Sequence, residues 1–171
     1  MMIRLIEKCY RLLIRASSSL ESPFLLAVRL YWGWQFMQAG WGKLHDIGKV
    51  IGFFTELGIP APALNAYFVS ALEFAGGLLL VVGLGSRLMA LALAVDMIVA
   101  YITADREALF SIISNPDKFT AAAPYTFLVA SLLVLIFGPG QFSLDVLVTG
   151  LRNHRRIERT VAEAPGSAAV A

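Results

Sequence analysis

Three charged residues lie inside stretches of sequence that are otherwise apolar. Arg29, Glu73 and Asp96 each occupy a different one of these stretches. A charge in the hydrocarbon interior of a bilayer is costly unless it is paired or hydrated, so such residues mark functional positions by default. The interpretation of the chain depends on whether these three side chains meet.

Helical spacing predicts that they do meet. Small residues recur at helical intervals around each charge: Gly33 and Gly40 for Arg29, Ser70 and Gly77 for Glu73, Ala92 for Asp96. Small residues let helix backbones approach closely, which would place Arg29 between the two carboxylates. One cation cannot neutralise both acids, so one carboxylate is expected to hold a proton and to act as a proton-accepting group. Two alternatives stay open: Lys43 supplies the missing charge, or the charges serve only to fix helix register.

A band of amides and aromatic rings runs beside these charges. Gln35 and Gln38 follow one face of the first apolar stretch, with Trp34 and Lys43 near them, and Tyr101 lies in the third stretch. Hydrogen-bond donors beside aromatic rings suit the head group of a quinone or another flat ligand. These five residues are the candidate cofactor-binding set, although hydrogen bonding between helices also explains the amides.

The elements that must position these residues are membrane helices. Of 171 residues, 58% are hydrophobic and only 15% are charged, far from the composition of a soluble domain. Four stretches are long enough to be candidate membrane spans, at residues 24–41, 64–84, 88–104 and 119–137. The sequence therefore predicts an all-α, polytopic membrane four-helix bundle over residues 23–145, in contact with the lipid bilayer.

The basic residues predict its orientation. Most Lys and Arg fall in the two terminal segments, which places both termini on the cytoplasmic side of a bacterial inner membrane. Residues 1–22 alternate apolar and basic positions at helical spacing and are predicted to form an amphipathic helix at the membrane surface. Residues 146–171 form a basic cytoplasmic tail that follows a second amphipathic segment. Nothing in the sequence indicates nucleic-acid binding.

Cysteine and histidine limit the chemistry. Cys9 is the only cysteine, so the chain has no disulfide or CxxC relay of its own. The two histidines, His45 and His154, lie outside the predicted spans and cannot ligate a haem between helices. No metal site and no intrinsic cofactor are predicted, and redox chemistry would need a bound carrier.

Several of these residues together resemble the DoxX family of small bacterial four-helix membrane proteins. They are Arg29, Gly33, Gly40, Lys43, the F-x-x-L-G-x-P run at 54–60, Glu73 to Leu80, Gly83, Arg87 and the ending FGPGQFSLD at 137–145. The resemblance implies a bundle with both ends inside and an association with redox complexes. It also implies that Arg29, Lys43, Glu73 and Arg87 match polar positions of the family, whereas the resemblance does not place Asp96.

Two functional hypotheses follow. The first is an accessory or quinone-interacting subunit of a membrane redox complex, with a protein partner that is a redox enzyme and with Arg29, Glu73 and Asp96 as its polar centre. An autonomous enzyme is not expected. The second is a non-catalytic assembly, export or transport component whose buried charges are structural or line a path. Faces of small residues would serve a homodimer as well as internal packing.

Overall fold

All regular secondary structure in the described part of the chain is helical. The computed structural model describes residues 2–149. It has seven helices between Met2 and Phe137, a further helical segment from residue 144 and no strand among the described residues, which confirms the all-α prediction. Of the predicted basic tail, residues 146–149 are helical and belong to a segment that begins at residue 144, and the residues from 150 onward lie outside the described part of the chain.

The first helix, α1 (Met2–His45), is continuous across the predicted boundary at residue 22. A separate surface helix followed by a first span was the prediction, and the structure instead has one helix of 44 residues with Pro23 inside it. Pro23 cannot donate to the carbonyl of Ser19, which lies four residues earlier. That carbonyl belongs to an exposed residue, so leaving it without this bond does not require the helix to end.

The remaining helices follow in short succession. They are α2 (Ile47–Glu56), α3 (Pro62–Val82), α4 (Ser86–Thr103), α5 (Arg106–Phe110), α6 (Pro116–Ala121) and α7 (Pro124–Phe137). α1 packs against α3 and α7, and α4 packs against α3 and α7. The buried apolar core lies between these four helices and includes Phe36, Leu80, Leu93, Met97 and Val134.

The fourth predicted span, residues 119–137, is interrupted. α6 ends at Ala121, Ala122 has an extended backbone, and α7 begins at Pro124. A helix that continued through Pro124 would bring the proline ring against the carbonyl of Thr120 and would lack one backbone donor. The apolar helix that remains has 14 residues.

Among the described residues, two helices are long and apolar enough to cross a membrane, by their length and composition. They are Pro62–Val82 with 21 residues and Ser86–Thr103 with 18 residues. Their predicted bounds of 64–84 and 88–104 differ from the observed ones by about two residues, which is the usual uncertainty of helix ends. A tight turn, residues 83–85, joins α3 to α4, and Gly83 and Gly85 both have a positive φ that favours glycine.

Candidate functional site

A half-buried ion pair joins α1 to α3. Lys43 Nζ donates to Glu73 Oε1 at 2.5 Å. The Glu73 side chain is 3% exposed, whereas the Lys43 side chain is 36% exposed. The carboxylate is therefore inside the protein, and the ammonium group reaches it from a position that water can approach.

Close packing of α1 on α3 explains why this pair forms. A Cβ added at Gly40 would lie 2.6 Å from Ser70 O, and one added at Gly77 would lie 2.6 Å from Gly33 O. Only glycine allows the two backbones to come this near. Since the helices run antiparallel, Lys43, about one turn beyond Gly40, lies within reach of the middle of α3.

Asp96 approaches the same region from α4. It is 8% exposed, and the charges of Glu73 and Lys43 both act on its carboxylate. No described residue donates a hydrogen bond to Asp96 Oδ2, and Glu73 Oε2 likewise has no donor. The structure thus brings together one ammonium group and two carboxylates, with a partner assigned to only one carboxylate oxygen.

All three side chains line one large cavity of about 920 Å³. Its walls are mostly apolar and come from α1, α2, α3, α4, α7 and the segment after α2, with Phe36, Phe53, Val69, Met97 and Phe127 among the lining residues. Ligand pockets usually have volumes of about 300–1,000 Å³ and combine an apolar lining with a few polar groups. This cavity is within that range.

Arg29 does not lie between the two carboxylates, contrary to the prediction from spacing. Its Nη2 donates to Phe142 O at 2.6 Å, and its guanidinium lies against Gly83. Gly83 is ten residues from Glu73, about 15 Å along α3 at 1.5 Å per residue. The side chains of a helix also tilt toward its N-terminus, so the Arg29 stem extends away from Glu73. The predicted centre of Arg29, Glu73 and Asp96 was therefore wrong about Arg29. The cation beside the two carboxylates is Lys43.

The Arg29 end of the structure contains a second polar cluster, formed with Asp145. Asp145 accepts hydrogen bonds from the backbone N–H groups of Gly85 at 2.7 Å and Ser86 at 2.9 Å. Burial opposes the charge on Asp145, but the N–H groups of Ser86 and Gly85, together with the Arg29 charge, hold the pKa of this carboxyl below its ordinary value. The cluster ties the segment after α7 to the turn between α3 and α4.

Among the five candidate cofactor-binding residues, Lys43 alone lines the cavity. Trp34 is 51% exposed and Gln38 is also exposed, while Gln35 lies 3.4 Å from Tyr31 Oη. Tyr101 is buried and donates to Phe119 O at 2.7 Å. Trp34 and Gln38 thus face outward, Gln35 is half-buried, and Tyr101 is buried outside the cavity lining.

A comparison with known protein families finds one match that covers the site. The model of the DoxX family matches residues 24–106. The chain has a DoxX domain. This confirms the resemblance drawn from the sequence motifs. The matched residues include Lys43, Glu73 and Asp96, so the whole cluster lies within the DoxX domain.

A bacterial relative extends the comparison beyond the matched domain. The chain is 29% identical over 123 residues to "Putative oxidoreductase CatD" of Bacillus subtilis (strain 168), covering 72% of this chain and 85% of that protein. No solved structure matches the chain.

Two features of the site could not be predicted from the sequence. Asp145 belongs to the FGPGQFSLD motif, but it is 60 residues from Gly85, and local spacing does not connect them. The wall formed by α2 and the segment that follows it, including Phe53, Phe54 and Ile59, depends on how that segment folds back over α3. For Lys43, the open alternative that it supplies a charge to Glu73 was the available signal, and the structure supports it.

Proposed function

We propose that this DoxX protein is a membrane subunit of a redox complex and that its cavity binds a quinone-class ring compound. The observation that carries the proposal is the cavity itself, in which Lys43, Glu73 and Asp96 meet apolar and aromatic walls. Intramembrane ionisable residues are rare and usually line a substrate, ion or proton pathway. A proton-linked ring compound needs this combination of ionisable groups and apolar surface.

The residues of the cavity fit both parts of such a ligand. An ammonium group has three donors, and Lys43 uses one of them on Glu73, so another can reach the carbonyl oxygen of a ring. Phe36 and Phe127 pack edge to face, with ring centroids 4.6 Å apart, and both belong to the cavity wall. Aromatic walls of this kind favour a flat, apolar ligand.

The electrons would come from a partner protein. The chain has one cysteine, and it therefore lacks an internal dithiol couple. The relative from Bacillus subtilis carries the word oxidoreductase in its name, which supports a redox setting for the family member studied here. The role that fits is accessory: the DoxX protein holds the ring compound, and a redox enzyme docked on it exchanges electrons with that compound.

For the membrane topology, we infer four spans with both termini on the cytoplasmic side of a bacterial inner membrane. The spans would be the part of α1 from residue 24, α3, α4 and the α6–α7 segment. Basic residues support this orientation. Arg4, Lys8, Arg11, Arg15, Arg87, Arg152, Arg155, Arg156 and Arg159 would face the cytoplasm, against Lys43, Lys49, Arg106 and Lys118 on the other side.

A second candidate function is supported by the N-terminal part of α1. Every side chain that the structure describes between residues 4 and 20 is exposed, so this part of the helix extends away from the other helices. An exposed helix with basic and apolar positions can hold a partner or a lipid surface in an assembly, export or transport complex. In that case the buried charges would be structural or would line a path.

Retention of a ligand separates the two functions. The full chain is purified from its native host in mild detergent, and the extracted lipids are measured by mass spectrometry. The redox proposal predicts a quinone at close to one molecule per chain and its loss in Glu73→Gln. An Asp117→Asn variant is the matched control, because Asp117 is an exposed carboxylate on α6 outside the cavity. A quinone content equal to that of the bulk membrane lipid would contradict the proposal.

A further inference from the structure

Two carboxylate oxygens in the cavity are buried and have no hydrogen-bond donor. They are Glu73 Oε2 and Asp96 Oδ2. The residues that carry them are 3% and 8% exposed, and both line the cavity. A buried acceptor without a donor is unfavourable by an amount comparable to a lost hydrogen bond, and more when the acceptor is charged.

The described part of the protein provides no donor for either atom. Lys43 Nζ is bonded to the other oxygen of Glu73, and Asp96 makes no hydrogen bond with any described residue. A ligand that satisfies these oxygens must therefore bring its own O–H or N–H groups. A ligand with acceptors only, such as a fully oxidised quinone ring, would leave both oxygens unsatisfied.

The surroundings argue that the donor is neutral. Lys43 already compensates the charge of Glu73, and a second cation would have to leave water for walls that are mostly apolar, at a large desolvation cost. The aromatic and aliphatic walls favour a ring body rather than a hydrated ion. A hydroxyl on an aromatic ring meets both conditions, since it donates a hydrogen bond without carrying charge.

We propose that the cavity selects hydroxylated aromatic rings, of the phenol or hydroquinone class, by a hydrogen bond from the ring hydroxyl to the Asp96 carboxylate. Glu73 Oε2 accepts a second hydroxyl where the ring carries one. The inference rests on the proposed function and deepens it, because it assigns the reduced, donor-bearing form of the ring as the preferred ligand. Lys43 remains the group that can meet an oxidised ring oxygen.

Binding of matched ring compounds tests this selection. The full-length protein in lipid nanodiscs is titrated without oxygen with trimethylhydroquinone, its dimethyl ether and trimethylbenzoquinone, and affinities are measured by calorimetry. The ether keeps the ring and loses both donors. A hydrogen bond to a charged acceptor corresponds to about tenfold or more in affinity, so the hydroquinone should bind at least about tenfold more tightly than the ether.

Variants of two carboxylates make the test specific. Asp96→Asn has nearly the same shape but removes the charged acceptor, and it should reduce the preference for the hydroquinone over the ether to about twofold or less. Asp117→Asn removes an exposed carboxylate outside the cavity and should keep the full preference. Each variant is first compared with the wild type by size-exclusion chromatography and thermal melting.

The outcomes separate this inference from the proposed function. Equal affinities for hydroquinone and ether in the wild type, or an unchanged preference in Asp96→Asn, would overturn the selection by Asp96 and leave quinone-class binding in place. Binding of none of the three compounds by the wild type would overturn both. The wild-type comparison decides the matter even if Asp96→Asn does not fold.

Discussion

Removing the ammonium group from the Lys43–Glu73 pair should destabilise the protein, and removing the carboxylate as well should restore part of that stability. Lys43→Met leaves the Glu73 carboxyl 3% exposed and without its cation. Glu73→Gln in the same chain then removes the unpaired carboxyl. The double variant is therefore expected to be more stable than Lys43→Met alone.

The exposure of Lys43 sets the magnitude. Loss of one partner from a fully buried ion pair destabilises a protein by about 3–5 kcal/mol, whereas fully exposed pairs contribute about 0–1 kcal/mol. The Lys43 side chain is 36% exposed, so the pair lies between these limits. We expect Lys43→Met to lower the free energy of unfolding by about 1–3 kcal/mol and the second substitution to recover about 1 kcal/mol or more.

The assay is equilibrium unfolding in mixed micelles with increasing denaturing detergent, followed by circular dichroism. The four proteins of the cycle are the wild type, the two single variants and the double variant, which together isolate the coupling between the sites. Lys49→Met is the matched control. Its pair with Asp46 is exposed at 81% and 63% of the two side chains, and its removal should change stability by less than about 0.5 kcal/mol.

Additive effects of the two substitutions on the free energy of unfolding would contradict the predicted ion pair. If the two single changes sum to the effect of the double change, Lys43 and Glu73 do not interact in the folded protein. A Lys43→Met variant as stable as the Lys49→Met control would have the same meaning.

Three further predictions address the surrounding structure. Gly40→Ala should destabilise the protein by about 1–3 kcal/mol in the same unfolding assay, because the added methyl group meets the backbone of α3. Gly42→Ala is the control: no atom lies within 4 Å of the added methyl group, so this substitution should be neutral or stabilising. Asp145 should make stability depend on pH, because folding lowers the pKa of its carboxyl. Its contribution to stability is complete above the ordinary pKa of 3.8 and is lost as the pH falls through the folded-state pKa. Asp145→Asn should therefore flatten the profile of melting temperature against pH in that acidic range. An unchanged profile would contradict this. Tyr101→Phe removes the hydrogen bond to Phe119 O and should lower the unfolding free energy by about 1 kcal/mol, and no loss would mean that this bond does not form.

The sequence predicted the helices well where composition and length alone decide the structure. The two long apolar stretches around Glu73 and Asp96 became α3 and α4 to within about two residues, because composition and length decide such elements. The fourth stretch was misread as one helix, since its hydropathy continues through Pro124 although its backbone does not. The continuity of α1 through Pro23 was also missed, because an exposed helix tolerates the lost bond.

The site was predicted in part, and the error has a simple geometric cause. Glu73 and Asp96 do share one cavity, as their stripes of small residues suggested. Arg29 was placed with them by its own stripe of small residues, but the antiparallel register sets it opposite Gly83, and its stem extends toward the start of α1. Register between helices depends on contacts distant in sequence, such as Gly40 against Ser70, which spacing within one helix does not reveal.

Photoaffinity labelling tests the central claim, that the cavity holding Lys43, Glu73 and Asp96 binds a quinone-class ring. The protein in nanodiscs is illuminated with an azido-quinone, digested and mapped by mass spectrometry, with and without excess unlabelled quinone. The account predicts labels within residues 50–60 and 96–104, which contain many of the residues that line the cavity, and their loss under competition. Labels confined to outward-facing residues such as Trp34, or labels that competition does not reduce, would contradict it.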